Sequence, residues 1–222
     1  METYEKRVVA YADVLGWKAA CYDLSKYSSL QSAALEIANY ARNFSPQVKA
    51  ALAAAQGVAS SAVEQHADIE FSFFSDNFVV SGSPSQVELV FKILAFSSHA
   101  LLRANFLVRG GVTIGNLYHK DNVLFGPALV EAVDLEKKAN YPRLLCSQCL
   151  SEFLDRSSHQ KDLLFQDSEE DWVVNIALGS AHALTDLSAI LEKELGTLKT
   201  HADKWLYFRD MLPRMYQHKG IE

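Results

Sequence analysis

Two aspartates stand where their chemistry could be used. Asp13 closes an apolar, β-branched run in YADVLGW, and Asp76 sits in the polar tip of FFSDNFVV. Two carboxylates brought to one end of neighbouring strands are hard oxygen ligands, and with a backbone carbonyl they suit Mg²⁺ or Mn²⁺. Cations held this way can activate a hydroxyl and neutralise a polyphosphate. Taken singly, the same residues read equally well as a helix cap and a turn residue. The stretch Val14-Leu15-Gly16-Trp17-Lys18 tips the balance, because backbone N–H groups and a helix start beside Asp13 would cradle phosphate. Arg109 opens the segment RGGVTIG, where two glycines permit close backbone approach. It is a candidate for a phosphate or for an ion pair with a nearby carboxylate. Arg143, after Tyr141-Pro142, is a second basic candidate.

The elements that must position these groups follow from periodicity. Residues 7–12 (RVVAYA) predict a strand running into Asp13, and 29–55 a long helix with Leu30, Ala34, Ile37 and Ala41 on one stripe. Residues 57–61 predict a loop and 69–81 a hairpin. Ser83-Pro84 opens a helix running to about residue 104. A strand follows over 106–114, a turn at Gly115-Asn116, and a return strand from Leu117. Residues 127–139 predict an amphipathic helix and 143–147 a strand. A small helix, strands near 163–175 and a helical tail over 181–215 complete the chain, with Leu184, Leu187, Leu191 and Leu195 at helical spacing. The order gives an α+β, ferredoxin-like βαββαβ unit with helices on one face of an antiparallel sheet.

The chain has 222 residues, 27 acids against 21 bases and a formal charge of −6. The acidic balance argues against a nucleic-acid groove but not against a small anionic ligand at a local site. No apolar run reaches the roughly 18–20 residues of a membrane span, and the N-terminus lacks a signal-peptide pattern, so a cytoplasmic protein with no membrane partner is expected. Three cysteines form no disulfide framework, and Cys146-x-x-Cys149 has no second pair for zinc. The seven histidines (66, 99, 119, 159, 182, 201 and 218) are scattered and read as surface or core residues.

The ordered motifs resemble the class III nucleotidyl cyclases. YADVLGW resembles their FAD(I/V)xGF segment, FFSDNFVV their metal-binding hairpin, VRGGVTIG their RxGIxxG strand, and FGPALVEAVDLEKKA their WGxxVNxAxRLE helix. The set YADVLG, SDN, RGGVTIG, LFGPAL and YPR is most similar to the pyrimidine cyclases of bacterial Pycsar antiphage systems. The resemblance spans roughly residues 7–147. It implies a cyclase core over 1–150, with 151–222 a strand and helical extension of the same domain.

The resemblance further implies that Asp13 and Asp76 bind two Mn²⁺ or Mg²⁺ ions, with the Val14 carbonyl as a further ligand, and that Gly16 and Trp17 line the triphosphate. It implies conversion of UTP, or secondarily CTP, to the 3′,5′-cyclic nucleotide and diphosphate. A homodimer with the site at its interface, and a separate effector that reads the cyclic nucleotide, go with it. Purine cyclases carry a lysine or glutamate where Ser72 stands, an aspartate or cysteine near Val123, and a transition-state asparagine and arginine at Val130 and Asp134. Ser72 is therefore the candidate base-reading position. Tyr11, two residues before Asp13 and so on the same strand face, is the candidate for stacking on or hydrogen-bonding a pyrimidine. Arg109 and Arg143 are the candidates for phosphate or base. The alternative reading is a catalytically silent cyclase-like module. The Asp13–Asp76 gap of 63 residues exceeds that usual for purine cyclases and implies a longer first helix or an insertion around 45–65.

Overall fold

A computed structural model describes residues 4–43, 68–156, 163–177, 189, 192 and 202–217. Strand β1 (Glu5–Leu15) carries Val8, Ala10, Ala12 and Val14, all buried, on one face and Arg7, Val9, Tyr11 and Asp13 on the other, where Arg7 and Val9 are buried and Tyr11 and Asp13 half-buried. A one-turn helix α1 (Trp17–Cys21) follows Gly16, whose φ of 90° suits glycine. Helix α2 (Leu24–Arg42) starts at Asp23, whose carboxylate accepts from the Ser25 N–H at 3.0 Å. It therefore begins earlier than its apolar stripe predicts. The predicted helix residues 44–55 and the loop at 57–61 lie outside the described residues.

Strands β2 (Ile69–Phe74) and β3 (Asn77–Gly82) form the predicted hairpin, turning at Ser75-Asp76 with Ser75 at φ 53°. A 3₁₀ turn (Pro84–Gln86) leads into helix α3 (Val87–Arg103). Strand β4 (Leu107–Lys120) is one continuous strand, which corrects the turn predicted at Gly115-Asn116. The chain turns instead at Asp121-Asn122, both at positive φ (51° and 67°), before β5 (Val123–Phe125). Gly115 serves packing rather than turning, since a Cβ there would meet Ala128 at 3.2 Å. Then come α4 (Pro127–Lys138), β6 (Leu144–Cys146), α5 (Gln148–Arg156), β7 (Leu164–Gln166), β8 (Trp172–Val174) and α6 (Ala202–Gln217). Of the predicted tail, Leu184, Leu187, Leu191 and Leu195 lie outside the described residues.

The strands order as β2-β3-β1-β4-β6-β8-β7, with β5 paired to β4. The first four are antiparallel neighbours, as a βαββαβ unit requires; β6 adds parallel to β4. Helices α2 and α3 cover one face around Leu30, Ile37, Phe91, Leu94 and Phe78. Helix α4 crosses the other face over Val9, Val79 and Leu117, a correction to the expectation of helices on one side only. The reason is Gly111. It lies on that face without a side chain, and a Cβ there would stand 2.2 Å from the Ala132 carbonyl oxygen.

Candidate active site

The register of β1 explains how the candidate residues meet. Asp13 lies near the end of β1, two residues before its last residue rather than closing it, paired with Asn77 of β3 and Arg109 of β4. Tyr11 pairs with Val79 and Gly111, so the rows Asn77–Asp13–Arg109 and Val79–Tyr11–Gly111 lie side by side on the face that α4 crosses. Asp76 joins them through the hairpin tip, where its carbonyl oxygen accepts from the Val14 N–H at 2.7 Å. That bond ties the tip to the strand beside Asp13, bringing both aspartates to one end of adjacent strands.

The side chains form two polar groups, Tyr11–Asn77–Asp76 and Asp13–Arg109–Glu136. The Tyr11 hydroxyl donates to Asn77 Oδ1 at 2.5 Å, and Asn77 Nδ2 donates to Asp76 Oδ1 at 2.7 Å. Asp13 Oδ2 accepts from Arg109 Nη2 at 3.3 Å. The same nitrogen stands 2.5 Å from Glu136 Oε1, an ion-pair contact without hydrogen-bond alignment that leaves Arg109 Nε and Glu136 Oε1 buried and unbonded. Burial pushes the Asp13 carboxyl above its ordinary range; Arg109 opposes the push, and Glu136 and Asp76 add to it. Tyr11 is pushed up to about 12, by burial first and then by Glu136, Asp13 and Asp76.

Gly16 and Trp17 follow directly, at the turn where β1 gives way to α1, with Trp17 packed on Phe73 at 5.8 Å between ring centres. Ser72 lies on the same face, paired with Val79 opposite Tyr11. Val123 is exposed on β5, and Val130 and Asp134 lie exposed on α4, where Asp134 pairs with Lys137 at 3.3 Å. Arg143 is not brought to this group. It is buried, and its guanidinium is held by Asp167, by Glu169 at 2.7 Å and by Asp171 at 3.2 Å, beside Tyr207. It fastens α6 and the β7–β8 hairpin to the sheet, and so serves the extension rather than a ligand.

Sequence reasoning gave no role to Glu136 or His119. Glu136 carried a readable signal: Ala128, Ala132 and Glu136 recur every four residues, so an acid ends a buried stripe of small residues. His119 carried none, because its partners Ser72 and Ser81 are 47 and 38 residues away. Its Nε2 lies 2.9 Å from Ser72 Oγ and its Nδ1 2.9 Å from Ser81 Oγ. Burial, with Arg7 nearby, lowers its pKa from 6.5 to about 4. Between those values the unfolded chain takes up a proton that the folded chain refuses. Stability therefore falls as pH drops through that window, in total by about 3 kcal/mol from this group. Urea unfolding at pH 7 and pH 5 will show a larger loss for the wild type than for His119→Gln; equal losses would exclude a neutral buried imidazole.

The donor chemistry fits a hard divalent cation. Asp13 and Asp76 present carboxylate oxygens; Asp13 and Glu136 share Arg109, and Glu136 and Asp76 both add negative field at Asp13. Among the described residues no group of three or more His, Cys, Asp or Glu side chains forms a metal cluster, so backbone, water or ligand oxygens would complete a shell. Among the same residues no helix is long and apolar enough to cross a membrane.

No protein-family model and no curated protein matches the chain. Solved structures do. The adenylyl cyclase CyaB from P. aeruginosa is similar with a TM-score of 0.50 and 14% identity, over 78% of this chain and 94% of that one. The monomeric guanylyl cyclase domain of the RhoGC fusion protein from the aquatic fungus Blastocladiella emersonii gives 0.50 and 14%, over 78% and 96%. The catalytic core of a rhodopsin-guanylyl cyclase with converted specificity, in complex with ATPαS, gives 0.50 and 12%, over 78% and 97%. With its βαββαβ sheet order and these neighbours, the chain has the α+β fold of nucleotide cyclase catalytic domains.

Proposed function

We propose that the protein is a divalent-metal-dependent nucleotide cyclase acting on a pyrimidine nucleoside triphosphate, UTP before CTP. The observation that carries this reading is the meeting of Asp13 and Asp76 at one end of β1 and its neighbouring hairpin, beside the Gly16 turn, on a cyclase fold. The ribose 3′-hydroxyl attacks the α-phosphorus; its oxygen forms the new P–O bond, its proton leaves to solvent, and the bond to the β-phosphate oxygen breaks to release diphosphate. Asp13, Asp76 and the Val14 carbonyl would hold two Mn²⁺ or Mg²⁺ ions, which when bound would lower the pKa of that hydroxyl and offset the charge of the leaving group. Gly16 and Trp17 present backbone N–H groups to the phosphates. Arg109 holds Asp13 in place from β4 and is itself held by Glu136. Tyr11, fixed through Asn77, offers its ring to the base. The site works between two copies of the chain, and cyclic UMP leaves as a second messenger for a separate effector in antiphage defence.

A silent nucleotide-binding module is the second reading. It is favoured by Val130 and Asp134, which offer α4's surface no cationic or amide group for a phosphate. Incubating the protein with each of the four nucleoside triphosphates and Mn²⁺ separates them. Cyclic UMP, with less cyclic CMP, is expected. Cyclic AMP or GMP as the main product would refute the pyrimidine assignment, and nucleotide binding without any cyclic product would establish the silent module.

A further inference from the structure

The segment Tyr141-Pro142-Arg143 belongs to the ordered motifs, yet its arginine stands outside the site. What Arg143 holds is the end of α4. Asn140, at φ 46°, stops that helix in the left-handed region, and the chain turns back on it. Arg143 Nε then donates to the Ala139 carbonyl oxygen at 3.0 Å, satisfying one of the carbonyls that a helix end leaves without a partner. The rest of the guanidinium is held from the extension. Buried Asp167 takes Nη1, and Glu169 and Asp171 take Nη2 at 2.7 and 3.2 Å. Asp167 is itself fixed: its Oδ1 accepts from the Glu169 and Asp171 N–H groups at 2.9 and 3.2 Å, and its Oδ2 from the Tyr207 hydroxyl at 2.8 Å. The Tyr207 ring stacks on Tyr141 with centres 4.3 Å apart. One side chain thus ties the end of α4 to the β7–β8 tip and to α6.

The last turn of α4 carries Glu136, whose carbonyl oxygen accepts from the Ala139 N–H at 3.0 Å. The Glu136 carboxylate stands 2.5 Å from Arg109 Nη2, and its Oε1 makes no hydrogen bond among the described residues. The helix backbone, more than any directional bond of Oε1, therefore sets where it stands. Arg143 also braces the other side of this contact, because the Gly110 N–H, next to Arg109, donates to the Arg143 carbonyl oxygen at 3.0 Å. Resting on the cyclase reading above, we propose that Arg143 is a positioning residue: it holds Glu136 against Arg109 and so keeps Arg109 from closing on Asp13, leaving the Asp13 carboxylate open to a divalent cation. When the tie is loosened, the last turn of α4 moves off, Glu136 recedes, and Arg109 closes on Asp13 from its present 3.3 Å. A guanidinium paired closely with a carboxylate competes with a cation for the same oxygens. The C-terminal extension, through Asp167 and Tyr207, thereby sets the cation affinity of the catalytic strand.

Manganese electron paramagnetic resonance on the free protein, without nucleotide, reads the effect apart from turnover. Arg143→Lys keeps a charge beside Asp167 but cannot reach Ala139, Asp167 and Glu169 together. It should weaken Mn²⁺ binding about tenfold. Cyclic-nucleotide formation should fall at low Mn²⁺ and recover as Mn²⁺ is raised, with KM for UTP unchanged. In Glu136→Gln, where Arg109 is already released, adding Arg143→Lys should change Mn²⁺ binding by less than about twofold. Unaltered Mn²⁺ binding in folded Arg143→Lys overturns the proposal, and so does an equal loss in both backgrounds, because Arg143 then does not act through Glu136. A rate loss that excess Mn²⁺ leaves in place overturns it too, since a loosened fold alone does that. If Arg143→Lys does not fold, Tyr207→Phe takes its place in the same cycle; it removes the 2.8 Å bond to Asp167, keeps the stack on Tyr141, and should weaken Mn²⁺ binding about threefold. A wild type that binds Mn²⁺ but turns over no nucleoside triphosphate overturns the cyclase reading, while the Mn²⁺ cycle still decides this proposal. A wild type that binds no Mn²⁺ overturns both.

Discussion

Asp76→Ala and Asp13→Ala will each lower cyclic-nucleotide formation by about three orders of magnitude and weaken Mn²⁺ binding, while the protein stays folded. The size follows from the several kcal/mol that a Lewis acid contributes to charge developing on a transferred phosphoryl group. Folding should survive because the contact that sets the hairpin tip on β1 is main chain to main chain, from the Val14 N–H to the Asp76 oxygen at 2.7 Å, and does not involve the carboxylate. Losing the Asp76 side chain frees one amide hydrogen of Asn77, which still accepts from Tyr11. Losing that of Asp13 leaves Arg109 with Glu136. Circular dichroism and thermal melting test the fold, manganese electron paramagnetic resonance tests binding, and product analysis tests turnover. Full turnover in either variant would place the metal site elsewhere.

Gly111→Ala should destabilise the protein by about 3 kcal/mol and take catalysis with it. A Cβ at this position would stand 2.2 Å from the Ala132 carbonyl oxygen and 2.4 Å from Leu135 Cβ, so α4 has to lift off the sheet. Backbone and Cβ atoms cannot swing aside as a long side chain would, so the cost falls at the upper end of overpacking. Lifting α4 also draws Glu136 away from Arg109 and frees Arg109 to close on Asp13. Urea unfolding measures the stability, and kcat should fall even at temperatures where the variant is fully folded. A variant with unchanged midpoint and rate would show that α4 does not rest on Gly111. The neighbouring Gly110 faces the opposite layer, where a Cβ would stand 2.4 Å from the Tyr11 carbonyl oxygen. The adjacent pair thus serves two different faces.

Much of the site was legible because it is written in strand alternation. Tyr11 and Asp13, two apart in β1, had to share a face, and a polar tip between phenylalanine-rich strands had to be a turn. The close approach announced by Gly110-Gly111 was legible too. Arg109 kept two readings in the sequence, and the structure shows the carboxylate-paired one, with Asp13 and Glu136. Arg143 looked like a ligand group because nothing local tells a basic residue what it faces; Asp167, Glu169 and Asp171 lie 24 to 28 positions further on.

What the sequence by itself determined is the βαββαβ order, the face shared by Tyr11 and Asp13, and the hairpin carrying Asp76. These depend on residues near one another in the chain, through the two-residue strand period and the conformational demands of turns. Only the tertiary structure decided that α4 crosses the site face, that Glu136 and Asp13 share Arg109, and that His119 is wired to Ser72 and Ser81. Those pairings arise where the end of β4 and the helix after it come back over the sheet. No local period encodes them, because they are chosen by which distant surfaces can pack together and leave the fewest buried polar groups unmatched.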